Sequence, residues 1–171
     1  MSVNERFNNT LPVGPLKLAV LSSAKELGDK VDQHIRDFRI ERDHAHKSNI
    51  HFAGYEEESY QVKCSCPRFG SGEAKGQIME SVRGADLYIL VDVCNYSLTY
   101  KMCGYENHMS PDDHYQDLKR IISAATGKAK RINVIMPFLY ESRQHKRTKR
   151  ESLDCAFALQ ELKDMGVSNI I

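Results

Sequence analysis

Hydrophobic patterning predicts an α/β fold of three layers, in which helices cover both faces of a mostly parallel sheet. Short apolar runs that suit buried strands alternate with amphipathic segments of helical period. The clearest strand signals are Leu16–Leu21, Asp86–Val93 and Arg131–Pro137. Helical segments of about a dozen residues alternate with these strands, and that length allows the next strand to return parallel to the one before.

The bulk composition fits one domain. The chain has 171 residues, of which 41% are hydrophobic and 27% are charged, and this is enough for a single sizeable core. Its net charge of +1 indicates neither a nucleic-acid nor a membrane partner. No apolar run reaches the roughly 20 residues of a membrane span, and the first residues lack the apolar centre of a signal peptide. A cytoplasmic protein is therefore expected.

The start of the chain predicts an arm, a strand and a helix. Residues 1–15 are polar and form the expected N-terminal arm, and a single domain is expected over residues 16–171. Its first strand leads into Ser22 and Ser23. Either serine is expected to cap a helix over Ala24–Phe38, because serine hydroxyls accept hydrogen bonds from the first free backbone N–H groups of a helix.

Residues 39–58 carry many charges and histidines and show no clear period. The side chains of His44, His46 and His51 have the chemistry of metal ligands, but an exposed variable segment is the favoured interpretation. A strand is predicted to follow over Ser59–Cys66, where apolar and polar residues alternate.

The five cysteines are odd in number and irregularly spaced, which indicates reduced thiols and not a disulfide framework. Cys64 and Cys66 lie two residues apart, and Cys94 and Cys103 follow, so a thiolate metal site is one alternative. Structural zinc usually uses cysteine pairs with about two to four residues between them, which favours small structural thiols instead. Cys155 lies in an apolar helical pattern and is expected in the core.

The remaining sequence predicts a ribbon, an excursion and two helix–strand units. Glycine-dense residues 67–76 are expected to form a turn or the tip of a β-ribbon, and residues 94–114 a long surface excursion. Ser110 and Pro111 mark a helix start. The other predicted elements are a strand and turn at Ile78–Gly84, a helix at Tyr115–Thr126 closed by Gly127, a helix through Leu153 and Leu162 that ends at Gly166, and a strand at Val167–Ile171.

A basic loop follows the predicted strand Arg131–Pro137. In open parallel sheets, ligands bind beyond the carboxyl ends of the strands, so this loop lies where a site is expected. Its cations, within eight residues, are Arg143, Lys146, Arg147, Lys149 and Arg150. Like charges so close together are better tolerated beside an anion, and Arg offers paired donors to phosphate oxygens. A phosphate-bearing small molecule is one hypothesis, and a solvated loop or a nucleic-acid patch is the alternative.

Two further segments have the chemistry of binding sites. Phe69 lies in the glycine-rich turn, where an exposed ring can stack on a flat base while Ser71 and Glu73 hydrogen-bond its edge. A local packing anchor is the commoner role of such a phenylalanine. Ser81 and Arg83 alternate onto one side of an extended segment and together suit an anion, although Arg83 suits pairing with a nearby acid as well.

Three stretches of the sequence resemble the phosphoribosyl pyrophosphate synthetase (ribose-phosphate pyrophosphokinase) family. Residues 68–92 contain RFGSGE and ESVRGAD, which resemble the family's aromatic-Asp/Asn-x-Glu element and its E-S-V-R-G-x-D strand turn. Within residues 117–150, PFLYESRQ resembles the family's Pro-x-x-x-Tyr-x-Arg-Gln loop. Residues 151–171 fit the next helix and strand.

The resemblance implies a type I phosphoribosyltransferase-like N-terminal domain of an enzyme that transfers the diphosphoryl group of ATP to the C1 hydroxyl of ribose 5-phosphate. Such enzymes use Mg²⁺ with ATP, have two domains per subunit and form homo-oligomers. By the resemblance, Phe69 stacks on the adenine across a subunit interface, and Ser71 and Glu73 contact the adenine edge. Arg143, as a catalytic residue, and Gln144 hold the ATP phosphates.

The resemblance also assigns Ser81 and Arg83 to a regulatory phosphate or ADP site, and it implies no metal ligand in this chain. The sequence departs from the family in several places. Thr148 falls near another expected acid, and the region before Tyr60 is longer and matches poorly. Ser71 stands where Asp or Asn is usual, His145 replaces an acid, and the connection over residues 95–114 is longer. Ser71 is expected to alter adenine recognition, and His145 is expected to change the surroundings of Arg143 and Gln144.

In this family the strand at the end of the chain leads on to further parts, so the chain is expected to be the N-terminal half of a two-domain enzyme. A catalytic histidine, a flexible Lys/Arg loop and an acidic ribose 5-phosphate loop are expected beyond Ile171, and the 171-residue chain alone is expected to have no synthetase activity. A catalytically silent regulatory subunit and a nucleic-acid-binding module that uses the loop 143–150 are the alternatives.

Overall fold

The computed structural model describes residues 12–42 and 56–171, and five of the strands in these ranges form one central sheet. The strands are β1 (Leu16–Val20), β2 (Gln61–Val62), β3 (Cys64–Ser65), β4 (Gln77–Ile78), β5 (Asp86–Leu90), β6 (Thr99–Met102), β7 (Tyr105–His108), β8 (Arg131–Ile135) and β9 (Val167–Ile170). The α-helices are α1 (Lys25–Arg42), α2 (Pro111–Ala125) and α3 (Asp154–Asp164). The sheet order is β2-β1-β5-β8-β9, and every neighbouring pair is parallel, which confirms the predicted α/β fold.

Helices cover both faces of the central sheet. On one face, Leu87 packs in a buried cluster with Leu118 of α2 and Leu162 of α3. On the other face, Leu90 packs in a second cluster with Ile35 of α1. Successive residues of a strand point to opposite faces of its sheet, which is why Leu87 and Leu90 join different clusters. The domain therefore has the three predicted layers.

Ser22 and Ser23 do not cap α1, contrary to the prediction. They form a short 3-10 turn before the helix, and Ser23 Oγ accepts a hydrogen bond of 3.1 Å from the backbone N–H of Asp92. The turn after β1 is thereby tied to the segment after β5. The helix also continues past Phe38 to Arg42.

The predicted strand Ser59–Cys66 is two strands. β2 extends the central sheet beside β1, whereas β3 pairs antiparallel with β4 as a separate ribbon. The break falls at Lys63, whose N–H donates to Glu80 Oε1 at 3.1 Å and whose carbonyl accepts from Met79 N–H at 2.8 Å. Residues 67–76 lie at the tip of this ribbon, as predicted.

Residues 1–11 and 43–55 lie outside the described residues. The expected arm is therefore described only from Pro12, and the candidate ligands His44, His46 and His51 fall in the second undescribed range. Within the described ranges, no helix is long and apolar enough to cross a membrane.

The excursion 94–114 contains a β-hairpin, which the sequence pattern does not predict. β6 and β7 pair antiparallel, and two residues connect them. These residues, Cys103 and Gly104, have φ values of 51° and 87°. Positive φ at both positions is the conformation of the tight hairpin turn that matches the twist of the strands. We call the segment Thr99–His108 the inserted hairpin.

Helix α2 begins and ends as predicted. Ser110 Oγ accepts a hydrogen bond of 3.2 Å from Asp113 N–H, and the Asp113 carboxylate accepts one of 2.9 Å from Ser110 N–H. This reciprocal pair satisfies two backbone donors that a helix start leaves free. Pro111 occupies the first turn, and Gly127 follows the helix with a φ of 74°. The helix start is thus fixed by local chemistry.

A polar ladder crosses β5, β8 and β9. Arg131 forms two hydrogen bonds with the Asp86 carboxylate, of 2.8 and 2.5 Å. Asn133 Nδ2 donates to Asp86 Oδ1 at 2.9 Å, and Asn169 Nδ2 donates to Asn133 Oδ1 at 2.6 Å. Asn133 is fully buried, so a shift in register would leave its amide without partners at a cost of about 1–3 kcal/mol. The ladder therefore specifies how these strands pair.

Candidate functional site

The loop between β8 and α3 leaves the carboxyl edge of the sheet, and Tyr140 anchors it to α2. The Tyr140 ring stacks on Tyr115 with 4.2 Å between ring centroids and 5° between ring planes. Its hydroxyl donates a hydrogen bond of 2.7 Å to Asp112 Oδ1. Burial, together with the hydrogen bond to the Asp112 carboxylate, raises the pKa of Tyr140 above its ordinary value. The phenol therefore stays a donor at neutral pH.

A turn at Glu141 brings the chain to Arg143. The φ of Glu141 is 54°, a left-handed conformation that costs about 1–2 kcal/mol for a residue with a side chain. Two backbone hydrogen bonds hold it, from Ser142 N–H to the Leu139 carbonyl at 3.1 Å and from Gln144 N–H to the Glu141 carbonyl at 2.9 Å. The turn leaves Arg143 exposed on the surface.

Gln144 closes the loop. Its Nε2 donates to the Ser152 carbonyl at 2.8 Å and lies 3.4 Å from the Lys146 carbonyl. Its own backbone carbonyl accepts from Cys155 N–H, in the first turn of α3, at 3.3 Å. Because the amide donors of Gln144 face backbone carbonyls, this residue fixes the loop in its observed form. The predicted contact between Gln144 and a phosphate remains a prediction.

The loop presents positive charge that no acid pairs with among the described residues. All five cations between Arg143 and Arg150 are exposed. In the part of the chain that the structure describes, none of their side chains forms an ion pair or a hydrogen bond. The nearby acid Glu151 instead accepts from the hydroxyl and the backbone N–H of Thr148, at 2.8 and 3.2 Å, which lowers the pKa of Glu151.

The second candidate segment is the tip of the β3–β4 ribbon, residues 68–74, which we call the Phe69 turn. Phe69 is 52% exposed. Its N–H donates to the Glu73 carbonyl at 2.6 Å, and its carbonyl accepts from Gly72 N–H at 2.9 Å. Ser71 Oγ donates to Glu73 Oε2 at 2.9 Å. The structure thus brings Phe69, Ser71 and Glu73 together on one exposed turn.

The Phe69 turn and the basic loop are attached to different flanks of α2. Arg68 forms an ion pair of 2.9 Å with Asp117, whereas Tyr140 bonds to Asp112. At about 100° per residue, positions 112 and 117 differ by about 140° around the helix. Arg68 also lies 3.9 Å from Asp113, the residue after Asp112. The Phe69 turn and the basic loop of one chain are therefore attached to different flanks of the same helix.

Ser81 and Arg83 lie at the other edge of the sheet. Both are exposed in the turn that precedes β5, while Val82 between them is buried. The backbone N–H of Arg83 lies 3.4 Å from Ser81 Oγ. The two residues are neighbours, as predicted, but they lie at the amino end of β5. The basic loop begins at the carboxyl end of β8, so the two candidate anion sites are separate.

Cys64 and Cys66 are thiols held by backbone carbonyls. Cys64 Sγ lies 3.4 Å from the Val20 carbonyl, and Cys66 Sγ lies 3.7 Å from the Asp117 carbonyl. Burial raises the pKa of Cys64 to about 11, and burial with the nearby Asp117 carboxylate raises that of Cys66 to about 12. Metal binding requires thiolates, which this environment disfavours. Cys155 is buried, as predicted.

Sequence patterns did not single out Arg68 and Tyr100. The Arg68 guanidinium lies 4.9 Å from the centre of the Tyr100 ring, and 11% of the Arg68 side chain is exposed. The sequence offered one signal for Arg68, its position directly before the aromatic Phe69. Its partners are distant along the chain, so no local period connects them.

Comparisons with known proteins agree with this architecture. A sequence model described as the N-terminal domain of ribose phosphate pyrophosphokinase matches residues 16–166. The ribose-phosphate pyrophosphokinase of Corynebacterium ammoniagenes is 26% identical over 158 residues, which cover 91% of this chain and 38% of that protein. Ribose-phosphate pyrophosphokinase 1 of Schizosaccharomyces pombe is 33% identical over 109 residues, which cover 63% of this chain and 23% of that protein.

A solved structure has the same fold. The crystal structure of phosphoribosylpyrophosphate synthetase from Mycobacterium smegmatis matches with a TM-score of 0.60 and 22% identity, over 90% of this chain and 41% of that one. The chain therefore spans between 23% and 41% of the length of these relatives. Because the family match extends over residues 16–166, the chain belongs to the family of ribose phosphate pyrophosphokinase N-terminal domains.

Proposed function

We propose that this domain holds the ATP of a ribose-phosphate pyrophosphokinase, with Phe69 on the adenine and Arg143 on the phosphates. The observation that carries the proposal is the exposed Arg143, which has no side-chain partner within the described residues. It follows β8 at the carboxyl edge of a parallel sheet, where such sheets bind ligands. Its guanidinium is available for the paired hydrogen bonds that phosphate oxygens accept.

In the whole enzyme, the reaction would transfer the diphosphoryl group of ATP to the C1 hydroxyl of ribose 5-phosphate, with AMP as the leaving group. Negative charge is redistributed over the phosphate oxygens as the bond to AMP breaks. Arg143 would donate to those oxygens and stabilise that charge. Tyr140 and Gln144 hold the two ends of its segment, so little reorganisation is needed when ATP binds.

The Phe69 turn has the chemistry to distinguish adenine from guanine. An aromatic face stacks on either base, so Phe69 supplies affinity without much selectivity. Glu73 carries a carboxylate, which accepts from the amino group of adenine and repels the carbonyl oxygen that guanine has at the same position. Ser71 Oγ, which donates to Glu73 at 2.9 Å, keeps lone pairs that accept a second hydrogen bond.

One nucleotide would take Phe69 from one copy of the chain and Arg143 from another. The attachment of the two segments to different flanks of α2 supports this arrangement. A homo-oligomer then follows as a requirement of the site. Ser81 and Arg83, at the opposite edge of the sheet, are proposed to bind a regulatory phosphate or ADP.

Mg²⁺ would arrive with the nucleotide. It commonly binds phosphate oxygens and waters and only one or two protein carboxylates. Within residues 12–42 and 56–171, no three His, Cys, Asp or Glu side chains lie together in a metal site. These described residues would therefore leave most of the coordination of the ion to the phosphates and waters. The bound ion would supply neutralisation of phosphate charge. The chain spans 38% of the Corynebacterium ammoniagenes enzyme, and we expect no synthetase activity from the 171-residue chain by itself.

Titration calorimetry with Mg-ATP, Mg-GTP and a short oligonucleotide tests the proposal. We expect binding of ATP in preference to GTP, and about ten-fold weaker ATP binding or more in Arg143→Ala, because a charged hydrogen-bond donor is lost. Lys149→Ala, an exposed cation of the same loop, is the matched control and should change affinity by less than about three-fold. Preference for the oligonucleotide with a steep loss of affinity in salt would contradict the proposal and favour a nucleic-acid-binding module. A coupled assay for AMP release that depends on ribose 5-phosphate tests the expected inactivity of the chain.

A further inference from the structure

We propose that the inserted hairpin is a clamp that orients the Phe69 turn, with Tyr100 as a positioning residue for nucleotide binding. This inference rests on the proposed role of Phe69. The β3–β4 ribbon that carries the turn has only two residues in each strand. A two-stranded ribbon is marginally stable in water at best, so the turn at its tip needs support from outside.

The first support is contact between the two hairpin tips. Cys103 N–H, in the turn of the inserted hairpin, donates to the Gly70 carbonyl at 2.8 Å. Gly72 lies against the same hairpin, and a Cβ atom there would come within 2.9 Å of Met102 Sδ. Gly72 also has a φ of 90°, which glycine adopts without strain. Glycine at this position therefore allows the inserted hairpin to close on the Phe69 turn.

The second support passes through Arg68, which directly precedes Phe69 in the chain. Its guanidinium lies 4.9 Å from the centre of the Tyr100 ring, and its Nη2 bonds to Asp117 on α2 at 2.9 Å. Its Nη1 lies 3.4 Å from the Gly72 carbonyl, on the far side of the turn. Since only 11% of the Arg68 side chain is exposed, water competes little with the cation–π contact. Immobilising Arg68 fixes the backbone from which the Phe69 side chain projects.

A cavity lies beside this contact. Its volume is about 230 Å³, and Arg68, Tyr100 and Asp117 are among the residues that line it. Removing the Tyr100 ring would enlarge this space and leave Arg68 without the aromatic face on one side. We expect this loss to reach the Phe69 turn as increased motion.

Fluorescence of a tryptophan at position 69 tests the clamp and the nucleotide site independently of each other. The chain contains no tryptophan and eight tyrosines, so Phe69→Trp introduces a single tryptophan at the turn, which is excited at wavelengths that tyrosine does not absorb. In that background we expect Tyr100→Ala to lower the fluorescence anisotropy of the introduced tryptophan. It should also weaken ATP binding about five-fold, measured as quenching of the same fluorophore, because the cation–π contact is lost. Tyr100→Phe keeps the ring and should restore both values.

Two further variants make the test specific. Tyr105→Ala, on the same hairpin and 78% exposed, should leave anisotropy and ATP affinity unchanged. Gly72→Ala should lower the anisotropy by a second route, since its Cβ would meet Met102. If Tyr100→Ala and Gly72→Ala fold and leave the anisotropy unchanged, the clamp does not exist. If ATP does not quench the tryptophan in any variant, the proposed nucleotide role of Phe69 is wrong. The anisotropy values alone then test whether the clamp exists.

Discussion

The Tyr140 hydroxyl donates a hydrogen bond of 2.7 Å to Asp112 Oδ1, and this bond joins the basic loop to the first turn of α2. Arg143 follows Tyr140 by three residues, with the left-handed Glu141 between them. The position of the guanidinium therefore depends on a contact at the start of a helix that is remote in sequence.

Tyr140→Phe removes this hydrogen bond and keeps the ring stack on Tyr115. We expect the free energy of unfolding to fall by about 1 kcal/mol, the usual contribution of one such bond. Urea denaturation measures the change. Asp112→Ala should have a similar effect, and the double variant should lose clearly less than the sum of the two single losses. Additive losses would show that Tyr140 and Asp112 do not act as a pair.

Stability should fall in alkaline solution through Tyr115 and Tyr140. Burial is the main cause that raises both folded-state pKa values above the ordinary value of about 10. The unfolded chain then releases its phenol protons at a lower pH than the folded one. The stabilising contribution is complete below pH about 10 and is lost as the pH rises above it. Urea titrations at several pH values check this, and Tyr115→Phe should reduce the slope.

Asn133→Ala should lower the free energy of unfolding strongly, although it removes only one small side-chain amide. It leaves the amide of Asn169 without its acceptor and removes a donor to Asp86 in a buried setting. We expect a loss of about 2–3 kcal/mol in the free energy of unfolding, measured by urea denaturation. Ser168→Ala on the exposed side of β9 is the control and should change stability by less than about 0.5 kcal/mol. Equal effects would show that the ladder has no special role.

Thiol reactivity should divide the five cysteines into two classes. Cys94 and Cys103 are exposed, whereas Cys155 is buried and Cys64 and Cys66 have pKa values raised to about 11 and about 12. Ellman's reagent at pH 8 should therefore label two thiols rapidly in the folded chain and all five in denaturant. Rapid labelling of Cys64 or Cys66 would contradict the structure of the β3–β4 ribbon.

Much of the fold follows from local patterns. The central strands β1, β5 and β8 are short, mostly apolar runs. The start of α2 is set by Ser110, Pro111 and Asp113, which lie within four residues of one another. The sequence did not predict the hairpin in residues 94–114. Its turn requires a positive φ at Cys103, and cysteine rarely adopts that conformation, so the residue gives no turn signal. The break at Lys63 depends on a bond to the distant Glu80, so alternation alone predicted one strand instead of two.

The sequence singles out candidate site residues but not their arrangement in space. Phe69 and Arg143 stand in recognisable motifs, and the structure places both on the surface. Their attachment to different flanks of α2 depends on the bond from Arg68 to Asp117 and on the bond from Tyr140 to Asp112. Such contacts join residues that are far apart in the sequence, so no periodic pattern of the sequence predicts them. The hydrogen bonds by which Gln144 closes the loop were also not predictable, because the sequence does not show which way its side-chain amide points.

Mixing two defective variants tests most directly that Phe69 and Arg143 hold one ATP from two copies of the chain. Phe69→Ala and Arg143→Ala should each weaken ATP binding in calorimetry, by about ten-fold or more for Arg143→Ala. After the two proteins are mixed, partly unfolded and refolded together, random pairing should restore about a quarter of the wild-type sites, where Phe69 of one variant meets Arg143 of the other. No recovery on mixing would contradict a site shared between copies. Wild-type ATP affinity in both single variants would contradict the nucleotide site itself.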